Sequence, residues 1–315
     1  MKNNKTTIDL FAGMGGIRLA FEKAGFTTIF ANDYEAKCKE NYDLNFSEPK
    51  LTIKDLKKVV PKSLPKFDFL LGGFPCQPFS IAGDRKGIKD ERGTLFFNVL
   101  DIITAHQPAG FFLENVKNLA GESFKETFNI ILSKLNDAGY NVKYQVLNSM
   151  EHGNVPQNRE RVYIVGFKKE LNLINKFDFP KKIKLTKSID DILESEIDKK
   201  YYYTDSLKVY DKLKDYPFEQ GKVYQWRRKY VRENKSGVCP TLTANMGTGG
   251  HNVPIIFDGK GIRKLTPREC ASIQGFPKNY KLANIADSHL YKQIGNSVSV
   301  PVVYRIAKNI AKALG

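Results

Sequence analysis

Cysteine and histidine are scarce, four of each in 315 residues, and Cys38, Cys76, Cys239 and Cys270 are spread along the chain with no C-x-x-C pair. A disulfide framework or a zinc site needs clustered ligands, so both are disfavoured, and reduced thiols in a cytoplasm are expected. No apolar run approaches the ~18 residues of a membrane span. The start, MKNNKTTIDLF, lacks the apolar stretch and small-residue cleavage site of a signal peptide, so a soluble chain not exported by that route is expected. Acidic residues are in deficit too: 34 Asp+Glu against 50 Lys+Arg leave a net charge of +16. Such an excess suits either a solvated basic surface or a polyanionic partner drawn by a long-range, salt-sensitive field, and composition alone does not separate them. With 41% hydrophobic and 12% aromatic residues, the chain has what a packed core needs and is not a disordered or low-complexity protein.

At ~150 residues per domain the length suggests about two domains. Over the first 170 residues, strand patterns at Thr6 to Phe11, Thr27 to Ala31, Phe67 to Leu71, Gly110 to Glu114, Val142 to Leu147 and Arg161 to Phe167 alternate with helical ones. The helices read at Ile17 to Ala24, Leu95 to Thr104 and Phe124 to Ala138. This βαβ rhythm predicts an α/β fold, a doubly wound and mostly parallel sheet whose ligands sit beyond the carboxyl ends of the strands. From about Lys181 the chain turns polar. Lys222 to Lys235 carries six Lys/Arg against one Glu, interleaved with Tyr224, Trp226 and Tyr230. That is the composition of a nucleic-acid face, with a solvated strand pair as the plain alternative. The Gly-rich run NMGTGGHN, Asn245 to Asn252, lacks the Lys-Ser/Thr of a P-loop and reads as a flexible turn near DNA. Val300 to Leu314 closes the chain as an amphipathic helix.

The first strand runs into Ala12-Gly13-Met14-Gly15-Gly16 and then a helix, a turn that lets backbone approach a ligand and aims a helix N-terminus at it. Asp33 ends the next strand, where an acid accepts hydrogen bonds from ribose hydroxyls. Tyr34 and Phe11 could sandwich an adenine ring. Asp55 is a further acceptor, for the adenine amino group, with a helix N-cap as the equally weighted alternative. These features suit NAD, FAD and S-adenosylmethionine alike.

A second group of residues carries chemistry. Gly73 to Ser80 (GFPCQPFS) holds Cys76 between two prolines at the carboxyl edge of the sheet, in a loop that can continue neither sheet nor helix. AGFFLENV brings Glu114 to the same edge. Arg159 and Arg161 open the strand VYIVGF two residues apart, which predicts both guanidinium groups on one face.

Taken together, these segments resemble the DNA cytosine-5 methyltransferases over nearly the whole chain. The matching stretches, in family order, are DLFAGMGG (Asp9 to Gly16), FANDY (Phe30 to Tyr34), GFPCQPFS, RGTLFF (Arg92 to Phe97) and ENV (Glu114 to Val116). PQNRERVYIVGF (Pro156 to Phe167), RKLTPRECASIQGFP (Arg263 to Pro277) and QIGNSVSVPV (Gln293 to Val302) follow. The resemblance implies a bacterial enzyme of the restriction-modification type that moves a methyl group from S-adenosylmethionine to carbon 5 of a flipped-out cytosine in double-stranded DNA. Cys76 would attack carbon 6, Glu114 would protonate N3 from a carboxyl with a raised pKa, Arg161 would hold the base carbonyl and Arg159 the nearby backbone. Phe11, Gly13, Gly15, Gly16, Asp33, Tyr34, Asp55, an apolar wall at Leu95 and Asn296 near the methionine end would bind the cofactor. Gln77, Ser80, Arg227, Arg228, Arg232 and the Thr241-Leu242 pair would meet DNA, the pair near the flipped base. No metal is implied. The protein would act as a monomer, with a partner endonuclease that forms no stable complex with it.

The catalytic domain would comprise residues 1–180 and 293–315, and the target-recognition domain 181–292. The run YQWRRKYVRENKSGVCPTLTANMGTGGHNVP is similar to recognition domains of enzymes that modify CC-GG-type sites. One departure stands out: Glu151-His152 replaces the family's usual Asp-Tyr pair. Competing readings are a tRNA cytosine-5 methyltransferase of the same fold, a catalytically silent DNA-binding relative, and a dehydrogenase, which leaves Cys76, Glu114 and the arginines without a role.

Overall fold

In the central β-branched and aromatic runs of the first half, successive side chains alternate between two apolar environments, so these runs form strands buried on both faces. The computed structural model describes residues 5–75, 95–227, 229–234, 236–248 and 252–315. In chain order its strands and helices are β1 (Thr6–Leu10), α1 (Gly16–Lys23), β2 (Thr27–Asp33), α2 (Cys38–Asn45), β3 (Thr52–Ile53), β4 (Phe69–Gly72), α3 (Leu95–His106), β5 (Gly110–Val116), α4 (Lys125–Asp137), β6 (Tyr140–Asn148) and α5 (Ser149–His152). There follow β7 (Gln157–Asn158), β8 (Glu160–Lys168), β9 (Tyr224–Trp226), β10 (Val231–Glu233), β11 (Cys239–Pro240), β12 (Ile255–Phe257), β13 (Ile262–Lys264), α6 (Pro267–Ile273), α7 (Asp287–Asn296) and α8 (Val300–Leu314).

The chain divides into two compact units. The first is Met1–Leu147, Glu160–Lys181 and Val303–Gly315; the second is Asn148–Arg159 and Lys182–Val302. Relative to the boundaries expected from sequence, the second unit also takes in 148–159 and holds the chain until Val302.

The first unit is built on a seven-stranded sheet in the order β3-β2-β1-β4-β5-β8-β6. The pairs β2/β3, β1/β2, β1/β4 and β4/β5 are parallel, and β8 runs antiparallel to β5. This is the mostly parallel, doubly wound sheet that the βαβ rhythm predicts. On one face Ile8, Leu10, Leu70, Phe111, Leu113, Val162 and Ile164 pack with Phe96, Val99, Ile102 and Ile103 of α3 and Phe128, Ile131 and Leu135 of α4. The three- and four-residue spacing of the helical members gives each helix one apolar stripe. On the other face Phe21 of α1 meets Phe69 and Phe112 at ring distances of 6.2 and 5.2 Å. Within this face, Lys23 at the end of α1 lies over the Tyr304 ring of α8, 4.7 Å from its centroid. The strand order reverses at β1 and β4, so the ends of these two strands mark the switch point where ligands bind such sheets.

The second unit holds a four-stranded antiparallel sheet, β10-β9-β12-β13, and a two-stranded parallel pair, β11-β7. Leu213, Tyr224 and Ile255 form a small core, joined by Tyr216, Phe218, Trp226, Val231 and Ile262. The strand pair at Lys222 to Lys235 is real, and its apolar residues line one face. Thr266 caps α6 in a reciprocal box with Glu269. Glu269 also takes a two-pronged contact from the fully buried Arg263, at 2.8 Å on each oxygen, while Arg263 bonds Asp258 at 2.7 Å. Asn245 to Gly247, the start of the run expected as a flexible turn, lie in a 3-10 turn (Ala244–Gly247) with Met246 buried. The turn packs on α7 so closely that a Cβ on Gly247 would meet the Ser288 carbonyl at 2.3 Å. Cys38, Cys239 and Cys270 are all buried. Cys239 is fully enclosed, and burial pushes its thiol up. Among the described residues no helix is long and apolar enough to cross a membrane.

Candidate active site

The turn after β1 is shaped by backbone that only glycine adopts freely. Gly13 and Gly15 have φ of 54° and 80°, and Phe11 before them is left-handed too at 55°. A Cβ on Gly15 would strike the Phe46 ring at 2.3 Å, whereas one on Gly13 would meet none of the described residues within 4 Å. Asp33, at the end of β2, holds this turn: its Oδ2 accepts from the Gly13 N–H at 2.8 Å and its Oδ1 from the Glu35 N–H at 2.8 Å. Burial pushes the Asp33 carboxyl above its ordinary range, against the pull of backbone N–H groups from Glu35, Gly13 and Tyr34. Tyr34 beside it is 67% exposed, an aromatic ring left uncovered at the rim. Phe11 is half-buried against the α3 and α4 core, as is Leu95 at the start of α3. Gly16 begins α1 and is buried. Asp55 takes the N-cap position: its Oδ1 accepts from the Lys57 N–H at 3.0 Å at the head of a 3-10 turn, and the residue is exposed.

Beneath the glycine turn lies a polar cluster that sequence reasoning did not single out. Arg18, on the buried side of α1, donates to Glu22 at 2.7 Å, the Tyr42 hydroxyl at 3.0 Å and the Pro49 carbonyl at 2.9 Å. Asp9 of β1 is fully buried, and neither carboxyl oxygen has a hydrogen-bond partner among the described residues. Burial pushes Asp9 up to about 8; the Arg18 charge opposes this, and Asp33 and Glu22 add to it. Asp9 is thus mostly a neutral acid at pH 7. Its signal in the sequence was an acid inside an apolar strand.

At the end of β5, Glu114 is buried and its Oε1 lies 3.1 Å from Arg161 Nε. The antiparallel register explains the pairing: Glu114 stands opposite Tyr163 and Val116 opposite Arg161, so the arginine is the diagonal neighbour of the acid. Arg161 also donates to the Glu160 carbonyl at 2.8 Å. Asn115 is buried and donates its side-chain amide to the Phe74 carbonyl at 2.8 Å, tying the exit of β4 to the exit of β5. A Cβ on Gly73 would sit 3.5 Å from Glu114 Oε2. The segment leading to Cys76 thus passes directly beside the Glu114 carboxyl. Cys76, Gln77, Ser80 and Arg228 lie outside the described residues.

Arg159 corrects the expectation that both arginines share one face. Strand β8 begins at Glu160, so the alternation does not extend back to Arg159. Its guanidinium is buried in the second unit, donating to the carbonyls of Leu242 at 2.7 Å, Gly295 at 3.2 Å and Ser297. Leu242 is buried and its N–H donates to Gln157 Oε1 at 3.2 Å; the Thr241 hydroxyl donates to the Asn158 carbonyl at 2.7 Å. Gln157, absent from the expected set, is a fully buried hub that also donates to Gln274 Oε1 at 3.0 Å. Asn296 is exposed at the end of α7. His152 is buried with Nδ1 3.1 Å from the Asn148 carbonyl, and Glu151 pairs with Lys182 at 2.9 Å, so the departing Glu-His pair packs within the second unit. Arg227 and Arg232 are exposed on the β9/β10 hairpin.

The family profile of the C-5 cytosine-specific DNA methylases matches residues 5–312. The chain belongs to this family. As a DNA cytosine-5-methyltransferase it has relatives along its full length. It is 52% identical over 310 residues to the type II methyltransferase M.Bsp6I of Bacillus sp. (strain RFL6), covering 97% of this chain and 98% of that one. It is 40% identical over 319 residues to the type II methyltransferase M.HaeII of Haemophilus aegyptius, covering 100% and 95%. The fold is shared with a DNMT2 variant of Spodoptera frugiperda, at a TM-score of 0.76 and 21% identity over 98% of this chain and 99% of the other. It is shared equally with the Dnmt2 methyltransferase of S. pombe, at a TM-score of 0.73 and 22% identity over 99% and 98%. No group of three or more His, Cys, Asp or Glu that could hold a metal occurs among the described residues of this methyltransferase.

Proposed function

We propose that this DNA cytosine-5-methyltransferase modifies a flipped-out cytosine within a specific double-stranded sequence, through a covalent bond to Cys76, and guards host DNA against a partner restriction endonuclease. The observation that carries the reading is the Glu114 carboxyl held 3.1 Å from Arg161 beside the segment that leads to Cys76. The site suits S-adenosylmethionine: a Cβ on Gly13 would meet none of the described residues within 4 Å, Asp33 stands ready beside it for ribose hydroxyls, and the exposed Tyr34 ring offers a stacking surface. Phe11, Gly15, Gly16, Leu95, Asp55 and Asn296 complete the proposed cofactor set. The cofactor supplies the methyl group.

The residues of the chain do the rest. Carbon 5 of an aromatic pyrimidine is a poor nucleophile, so the Cys76 thiolate adds to carbon 6 and the displaced π electrons run toward N3 and carbon 5. Glu114 gives its proton to N3, which neutralises the ring as carbon 5 is methylated. Arg161 orients Glu114 and supplies N–H donors for the base carbonyl. Loss of the carbon 5 proton to water then re-forms the C5=C6 bond and expels the Cys76 thiolate, and N3 returns its proton to Glu114. Arg159 gathers the carbonyls of Leu242, Gly295 and Ser297 and so ties residues 148–159 to the rest of the second unit.

Cys76→Ala should abolish methylation while duplex binding persists; retained transfer of labelled methyl groups would refute the adduct. Transfer to duplex DNA but not to tRNA is expected, and the reverse would overturn the substrate assignment. Bisulfite sequencing of DNA from cells expressing the protein should place every methylated cytosine in one short context. Methylation outside CC-GG-type contexts would refute that part of the reading. Methylation of the mapped site should also block cleavage by the partner endonuclease.

A further inference from the structure

The β9/β10 hairpin exposes a polar pair that the reaction does not use. Arg232 of β10 stands opposite Gln225 of β9, and its Nη2 donates to Gln225 Oε1 at 2.7 Å. Alternation along these strands puts Tyr224, Trp226 and Val231 on the face with the aromatic core, so Gln225 and Arg232 point to the other face. At β12 and β13 that second face is closed, with Ile256 and Arg263 fully buried. At β9 and β10 it stays open, and Arg232 is exposed. Two cations of the same sheet are already paired: Lys222 with Glu219 at 2.8 Å and Glu233 at 3.4 Å, and Arg263 with Asp258 and Glu269. Arg232 has no carboxylate within 4 Å among the described residues. Its bond to Gln225 uses one of five N–H donors and restricts the guanidinium to one orientation, leaving four donors for a paired contact. An arginine presented this way matches the two acceptors, O6 and N7, on the major-groove edge of guanine.

We propose that Arg232, oriented by Gln225, reads a guanine of the sequence this enzyme methylates. The inference rests on the reading of residues 181–292 as the target-recognition region. Arg232 is the contact and Gln225 a positioning residue.

The test uses duplex oligonucleotides carrying the mapped site, with each guanine replaced in turn by 7-deazaguanine, which lacks the N7 acceptor but pairs normally. At one position the replacement should lower kcat/KM of the wild type by about 10- to 100-fold and leave Arg232→Ala unaffected. The methylation map of Arg232→Ala should be degenerate at that base alone. Arg232→Lys should behave like Arg232→Ala, because an ammonium cannot reproduce the planar fork. Gln225→Ala should lose part of the discrimination, and Gln225→Glu, which still accepts from Arg232, should keep it. An unchanged map in Arg232→Ala, or a 7-deazaguanine penalty equal in wild type and variant, overturns the proposal. So does rescue by lysine with a uniform loss across sites, which marks a phosphate contact. A wild type that methylates no duplex overturns the underlying reading and this inference with it, through a separate arm of the experiment.

Discussion

Between about pH 4 and pH 8 the folded chain holds a proton on Asp9 that the unfolded chain releases, because burial lifts this carboxyl from 3.8 to about 8 against the pull of Arg18. The folded state binds more protons across that window, so this residue's contribution to stability falls as pH rises, by about 1.4 kcal/mol per pH unit. Asn in its place cannot ionise. Asp9→Asn should therefore gain stability relative to the parent steadily from about pH 4 to pH 8, as read by urea denaturation at each pH. Parallel stability curves would mean that Asp9 is charged when folded. The same residue shows where sequence reasoning ran out. Asp33 and the glycines were legible because a strand, a turn and an acid at the next strand end form a one-dimensional pattern. The isolation of Asp9 is a property of the packed face, where Arg18 spends its donors on Glu22, Tyr42 and backbone carbonyls instead.

Elements were legible to the extent that one period governed them. Every strand read from the first 170 residues is present; the central ones, β1, β4, β5 and β8, bury both faces and so keep a continuous β-branched or aromatic run, whereas β6 is largely exposed. Arg159 broke the rule because the ladder starts one residue later, and no propensity separates Arg159 from Glu160. Asp55 occupies an N-cap, and Ala244–Gly247 form a 3-10 turn in which Gly247 lies too close to the Ser288 carbonyl of α7 for a side chain. Helix α6 was readable from its Thr-Pro-x-Glu start, and here the capping box doubles as an ion-pair anchor. Thr266→Ala removes a cap and should cost about 1 to 2 kcal/mol. Glu269→Ala leaves the buried Arg263 with Asp258 and the Lys264 carbonyl as partners and should cost about 3 to 5 kcal/mol. Denaturant unfolding of both variants should keep that order; equal losses would mean the Arg263 pair adds nothing beyond the cap.

At the scale of the whole molecule, the chain passes between its two units four times, and residues 148–159 belong to the second although they interrupt the first. A fragment spanning 182–302 lacks β7, the partner of β11, and lacks Arg159, which gathers three carbonyls of that unit. It should fail to fold cooperatively, and a cooperative thermal transition in the isolated fragment would show these ties to be dispensable. The net charge of +16 is likewise unevenly available. Counterion release makes the logarithm of the DNA association constant fall linearly with the logarithm of salt, by about 0.9 for each phosphate neutralised. Counting residues assigns +5 to Lys222 to Lys235, but Lys222 is held between Glu219 and Glu233, so its charge is cancelled locally. Arg227 and Lys229 are exposed with no carboxylate within 4 Å among the described residues. In salt titrations of duplex binding, Arg227→Ala and Lys229→Ala should each reduce the slope by about 0.9, whereas Lys222→Ala should leave it unchanged. A slope that drops equally for all three would mean that bulk charge, and not the arrangement of ion pairs on the hairpin, governs how this protein holds DNA.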